Sequence, residues 1–157
     1  MPKEVMRRKA ADNPYLHKDF HGALSTAIEY LDQRFGPQAV REYLRQFAAA
    51  FYKPLTESLK ARGLMALKEH FERIYSLEGA AAEIRLSDNG DELVIQVSQC
   101  PAVAHMRANG YPVARLFEET TRTVNEAVCE GTPFAAELVE YQPQDGRSVQ
   151  RFFRRKT

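Results

Sequence analysis

Cys100 is followed directly by Pro101, and both come after the alternating run Glu92-Leu93-Val94-Ile95-Gln96-Val97-Ser98. The alternation predicts a half-buried strand, and the run from Pro101 to Asn109, stopped by Gly110, predicts a short helix. The thiol therefore falls where a strand gives way to a helix, with proline in the first helical position. Unsatisfied helix amides and the positive end of the dipole favour the thiolate there. A nucleophile of this kind needs a proton acceptor. His105 is close in sequence, but five helical positions turn through about 500°, so the two side chains need not share a face. His70 and Glu78 are the other candidates. Glu78 falls at the seam between a helix and a hairpin, where a desolvated carboxylate would have its pKa raised. The candidate catalytic set is thus Cys100, His105, Glu78 and His70. Against it stands the plainer role of Cys100 as a buried space-filling side chain, since cysteine is among the most buried residue types.

His17 and His21 lie four apart, a spacing that puts two imidazoles on one helix face. They could give two metal ligands, with a third from His70, His105 or a carboxylate. Lys18, however, stands where a His-Glu-x-x-His metalloprotease carries its glutamate. No cofactor is predicted; zinc or iron at His17 and His21 is the alternative. Cys129 has no Cys-x-x-Cys partner, and the chain contains no phosphate-cradling glycine loop and no Gly-x-Ser-x-Gly elbow.

The elements that must position these groups follow from periodicity. Phe20, Leu24, Ala27, Ile28, Leu31 and Phe35 form one stripe of a helix over 17–35, stopped by Gly36. A second helix turns Val40, Tyr43, Leu44, Phe47 and Phe51 inward and is broken near Pro54. Leu55 to Ala61 makes a short helix, and Leu64, Leu67, Phe71, Ile74 and Tyr75 define another, closed near Gly79. The period then drops to two. Residues 82–86 and 92–98 form a hairpin around Asp88-Asn89-Gly90-Asp91. After the helix begun by Pro101, a long helix from Pro112 to Cys129 is expected, with Arg115/Glu119, Glu118/Arg122 and Arg122/Glu126 as pairs on its wet face. Residues 134–141 and 149–155 form a second hairpin. The fold class is α+β: N-terminal helices followed by two β-hairpins separated by helices, one antiparallel sheet packed against helices. Residues 1–13 read as a mobile segment before a single domain over 14–157.

With 157 residues, 44% hydrophobic and 27% charged, the chain suits one globular domain and not a disordered or fibrous one. No apolar run approaches the ~20 residues of a membrane span, and the N-terminus has no apolar core of a secretory signal. Two cysteines in such a chain fit a reducing, cytoplasmic setting. Net charge is +1, but Arg147, Arg151, Arg154, Arg155 and Lys156 crowd the end of the chain. No basic face with interleaved aromatics suggests nucleic acid. A small molecule is the expected partner, with a homodimer as a further expectation.

The element order, with Cys100-Pro101 joining the first hairpin to the next helix, resembles the 4-vinyl-reductase-like and L-2-amino-thiazoline-4-carboxylate hydrolase-like small-ligand-binding domains. Their fold is shared with nitric-oxide-sensing and Golgi-transport proteins, and the likeness spans about residues 14–155. Only Cys100 and Pro101 carry over. The Tyr-x-Ser-x-Arg pattern of haem-binding relatives is absent. The resemblance implies a pocket for a small organic molecule, and hydrolysis of a cyclic amidine or thiazoline-like ring with Cys100 as nucleophile. A non-catalytic ligand sensor or dimeric scaffold is the alternative.

Overall fold

A computed structural model describes residues 18–157. The segment 1–13, read as mobile, and His17, offered as a metal ligand, lie outside the described residues.

Among the described residues, six helices and four strands follow in the order α1 (Phe20–Phe35), α2 (Pro37–Phe51), α3 (Lys53–Arg62), α4 (Leu64–Glu78), β1 (Ala82–Leu86), β2 (Glu92–Val97), α5 (Pro101–Ala108), α6 (Glu119–Cys129), β3 (Phe134–Tyr141) and β4 (Ser148–Arg154). The strands form one antiparallel sheet in the order β1-β2-β4-β3. The two hairpins therefore join through their inner strands, with Ile95 opposite Gln150. This is the α+β arrangement expected from the sequence.

Alternation sorts the sheet into two faces. Leu93, Ile95 and Val97 of β2 and Ser148, Gln150 and Phe152 of β4 are buried. On the opposite face Arg151 reaches Glu92 at 2.7 Å and Glu137 at 3.4 Å, a solvated cross-strand ladder. Helix α4 packs over β1 and β2, and α6 over β3. Neither packs closely on β4, and α1, α2 and α3 complete the cover beyond this gap. The core joins Ile28, Val40, Leu44, Leu59 and Leu67 of the helices to Leu93, Ile95 and Phe152 of the sheet, all fully buried.

Some expectations are corrected. Tyr43 and Phe51, placed on the inner face of α2, are 41% and 53% exposed, and Phe35 at the end of α1 is 66% exposed. Phe51 keeps ring contacts with Phe47 and Tyr52 despite its exposure. The long helix expected from Pro112 starts only at Glu119. The preceding residues are held by Ser25 of α1, whose hydroxyl donates to the Pro112 carbonyl (3.0 Å) and accepts from the Ala114 amide (2.8 Å). A tertiary contact thus overrides local helix propensity. Arg115 accordingly leaves Glu119 and grips Asp32 with two nitrogens. Glu119, 3% exposed, instead takes Arg41 at 3.2 Å and the Thr123 hydroxyl at 2.6 Å. Glu126 pairs with Arg45 (3.7 Å) in place of Arg122, while the expected Glu118–Arg122 pair forms at 2.9 Å.

Candidate functional site

The gap over β4 encloses a cavity of about 380 Å³. Its floor is Gln150 and Phe152, and its walls come from every N-terminal helix, from α6 and from the start of α5. One side is a continuous aromatic wall. Phe47 stacks on Phe51 at 5.3 Å, Phe51 meets Tyr52 edge-on at 5.0 Å, Tyr52 meets His70, His70 meets Phe71, and Phe71 leans on both Tyr75 and Phe152. Aromatics at helical spacing in α2 and α4 build this wall because 3.6 residues per turn returns them to one face.

Polar groups share this space. Cys100, Glu78, His21, Thr120, Thr121 and Asn125 all line the same space. The floor carries its own hydrogen-bonded chain: the Asn125 side-chain amide donates to Gln150 Oε1 (2.9 Å), and Gln150 Nε2 donates to the Tyr75 hydroxyl (3.2 Å). Gln150 is only 3% exposed, so this pairing satisfies a polar group that would otherwise be costly to bury.

Cys100 is the N-cap residue of α5, with extended backbone (φ −71°, ψ 121°) and Pro101 at the first helical position. Its amide donates to the Asp145 carbonyl at 2.9 Å, tying the helix start to the β3–β4 turn. In that turn Gly146 has φ +70°, and a Cβ built on it would overlap the Cys100 Cβ and stand 3.0 Å from Val103 Cγ2. Glycine is therefore required twice over, by backbone conformation and by space. Gly146 is a positioning residue with no signature in local sequence, because its contact with Cys100 joins segments distant in the chain.

The thiol makes no capping hydrogen bond, yet the amides of Ala102 and Val103 favour its charged form. Burial outweighs them, and the Glu78 charge adds to it, so the Cys100 pKa is raised. The helix-start setting predicted the opposite sign. Desolvation of a thiolate costs more here than two amides return.

The other expected site residues separate into two groups. His70 and Glu78 line the cavity with Cys100. His70 is pushed down to about 4, by burial first and by Arg73 second, so it is neutral at neutral pH. Glu78 ends α4, with its side chain 8% exposed and its Oε1 3.3 Å from His21 Nε2. Its charge raises the hydroxyl pKa values of Tyr52 and Tyr75, although burial is the larger cause at both. His105 does not join them: it does not line the cavity, and its Nε2 lies 3.0 Å from Asp19 on the other side of α5. Five residues of helix have turned it away from the thiol, as the 500° rotation allowed. His21, offered as a metal ligand, points into the cavity towards Glu78. Among the described residues no group of three or more His, Cys, Asp or Glu is placed to hold a metal ion. Cys129 is fully buried in the core, and burial pushes its thiol up to about 12. No described helix is long and apolar enough to cross a membrane.

Compared with known protein families, the chain matches no family model, and no curated protein matches it significantly.

Proposed function

We propose that this domain binds one small organic molecule in the cavity over β4, with an apolar body against the aromatic wall and a polar group at the Glu78–Cys100 end. The supporting observation is the cavity itself. About 380 Å³ lined chiefly by aromatic and aliphatic side chains, with a few convergent polar groups, has the size and chemistry of a small-molecule site. The test is binding of N-phenyl-1-naphthylamine, a neutral fluorophore whose emission rises in apolar surroundings. A single saturable site is expected, lost in Leu24→Trp, which fills the cavity from α1, and kept in Val139→Trp on the exposed part of β3. An unchanged emission with the native protein overturns the reading.

A second reading is favoured by the thiol on the cavity wall beside a carboxylate. In it the domain opens a cyclic amidine or thiazoline-like ring. The Cys100 sulfur adds to the ring's electrophilic carbon while its proton passes to Glu78. That proton passes on to the ring nitrogen as the carbon–nitrogen double bond opens, and the remaining ring carbon–nitrogen bond breaks as this nitrogen takes a second proton from the other amidine nitrogen, which becomes doubly bonded to the carbon. Water then adds across that new double bond, the bond from the carbon to the Cys100 sulfur breaks, and the water's second proton returns to the sulfur. Because the thiol pKa is raised, proton transfer must accompany attack. Helix amides would steady the charge that develops. Turnover of 2-amino-2-thiazoline-4-carboxylate, followed by mass spectrometry and abolished in Cys100→Ala, is the expected result. A ligand that stabilises the protein without being consumed favours the sensor role instead.

A further inference from the structure

We propose that the cavity selects neutral carbonyl compounds, seating the carbonyl oxygen in a recess bordered by Tyr75, Tyr141 and Ser148. This deepens the ligand-binding reading and rests on it. Shape, hydrogen-bonding capacity and charge support it separately.

The recess, of about 20 Å³, lies beside Cys100 and adjoins the main cavity. Tyr75, Cys100, Thr120, Thr121 and Gln150 border both spaces. Gly146 is part of its wall and has no side chain to fill it. A water molecule needs roughly 10–15 Å³ of such space. The recess therefore takes one oxygen-sized atom, while the body of a ligand stays in the larger cavity.

The hydrogen bonds around the recess leave donors over. Gln150 Nε2 donates to the Tyr75 hydroxyl at 3.2 Å and to the Ser148 hydroxyl at 3.3 Å. Its Oε1 accepts from the Asn125 amide at 2.9 Å, which holds Gln150 in that orientation. Both hydroxyl oxygens thus act as acceptors, and their own protons meet no acceptor among the described residues. Ser148 is 5% exposed, so bulk water does not supply one readily. Tyr141 borders the recess, and its hydroxyl bonds to no described residue. Burial raises the hydroxyl pKa of both tyrosines, so both keep their protons at neutral pH. A buried donor without an acceptor is costly, and a carbonyl oxygen has two lone pairs with which to answer two of them.

The charges around the recess decide which acceptor suits it. No charged side chain borders the recess. An anion would give up its water there without gaining a counter-charge, and an ammonium would bring more protons to a place already supplied with donors. A neutral acceptor meets neither cost.

The experiment displaces N-phenyl-1-naphthylamine from the full chain at pH 7.5 with 4-phenylbutan-2-one and, separately, with 3-methylbut-3-enylbenzene, in which a methylene group replaces the carbonyl oxygen. Tyr75→Phe and Tyr141→Phe are each expected to weaken the ketone about fivefold, as the loss of one hydrogen bond does, and to leave the hydrocarbon unchanged. The infrared carbonyl band of the ketone held by excess protein should lie below its position in hexane and move back towards it in either variant. Equal effects on the two ligands overturn the inference, as does a bound band at its hexane position or a 4-phenylbutanoate that displaces the probe better than the ketone. Should Tyr75→Phe fail to fold, Tyr141→Phe, which leaves the Gln150 bonds intact, and the band of the native complex decide. A fluorophore that never binds defeats the cavity as a ligand site; one that binds while the ketone ignores the loss of both hydroxyls defeats only the recess.

Discussion

The two cysteines sit at opposite kinds of helix end. Cys100 opens α5 beside a void, and Cys129 closes α6 in the middle of the core. Both thiols are pushed up by burial, and each has a group opposing it: two backbone amides at Cys100, the Arg155 guanidinium at Cys129. Desolvation wins in both places. The helix start is therefore not what separates the two sulfurs. What distinguishes Cys100 is the space in front of it and the polar groups that share that space.

Alkylation gives the widest expected difference. With iodoacetamide at pH 7.5, Cys100 should be modified at least ~100-fold faster than Cys129, because Cys129 can react only after the core opens. Peptide mass mapping reads the two rates separately. Cys100 should still react more slowly than free cysteine, since the thiolate is the reactive form and its pKa is raised. Equal rates at the two sites would show that the cavity does not admit a small reagent.

Next in size is a pair of glycine substitutions, one near each thiol. Gly146→Ala forces a methyl group into Cys100 and Val103 from a left-handed backbone, and should cost about 2–4 kcal/mol in urea denaturation. Gly131→Ala, just beyond Cys129, has a similar φ of +69° but nothing within 4 Å of the added carbon. It should cost only about 1 kcal/mol. Comparable losses would mean that the β3–β4 turn yields easily and does not fix Cys100.

Acid should act on the cavity side through His70. Its pKa falls from the ordinary 6.5 to about 4 in the folded chain. The unfolded chain therefore takes up the proton first as pH drops. Stability from this group is complete above pH 6.5 and is lost between 6.5 and 4, at most about 3 kcal/mol. Denaturation midpoints measured across that window should slope in the native protein and flatten in His70→Phe. A smaller effect than acid is expected at Ser25→Ala, about 1–2 kcal/mol, from stranding the Ala114 amide beside α1. Leaving thermal stability unchanged would show that the 109–118 connection does not depend on that hydroxyl.

Much of this architecture was legible in residue order. The change of period at Ala82 located the first hairpin, the Asp88–Asp91 turn fixed its tip, and Gly-bounded stripes gave four N-terminal helices near their observed limits. Cys100-Pro101 marked the junction correctly. The site was less legible, because its parts meet only through tertiary structure. Glu78 could be placed near a seam, but its pairing with His21 depends on how α1 lies against α4. His105 seemed nearest to the thiol by count, yet the helix carried it to Asp19. The sign of the Cys100 shift was beyond local reasoning, since it depends on burial by β4, α6 and the hairpin turn. The start of α6 was missed for a similar reason: nothing around Pro112 announces a hydroxyl waiting on another helix.

The contact between Gly146 and Cys100 has a consequence for how this chain can vary. Room at position 100 is granted by the missing side chain at position 146, so the two form a single unit of substitution. A side chain at position 146 would lever the C-terminal hairpin away from α5, and only glycine at position 100 would remove the closest overlap.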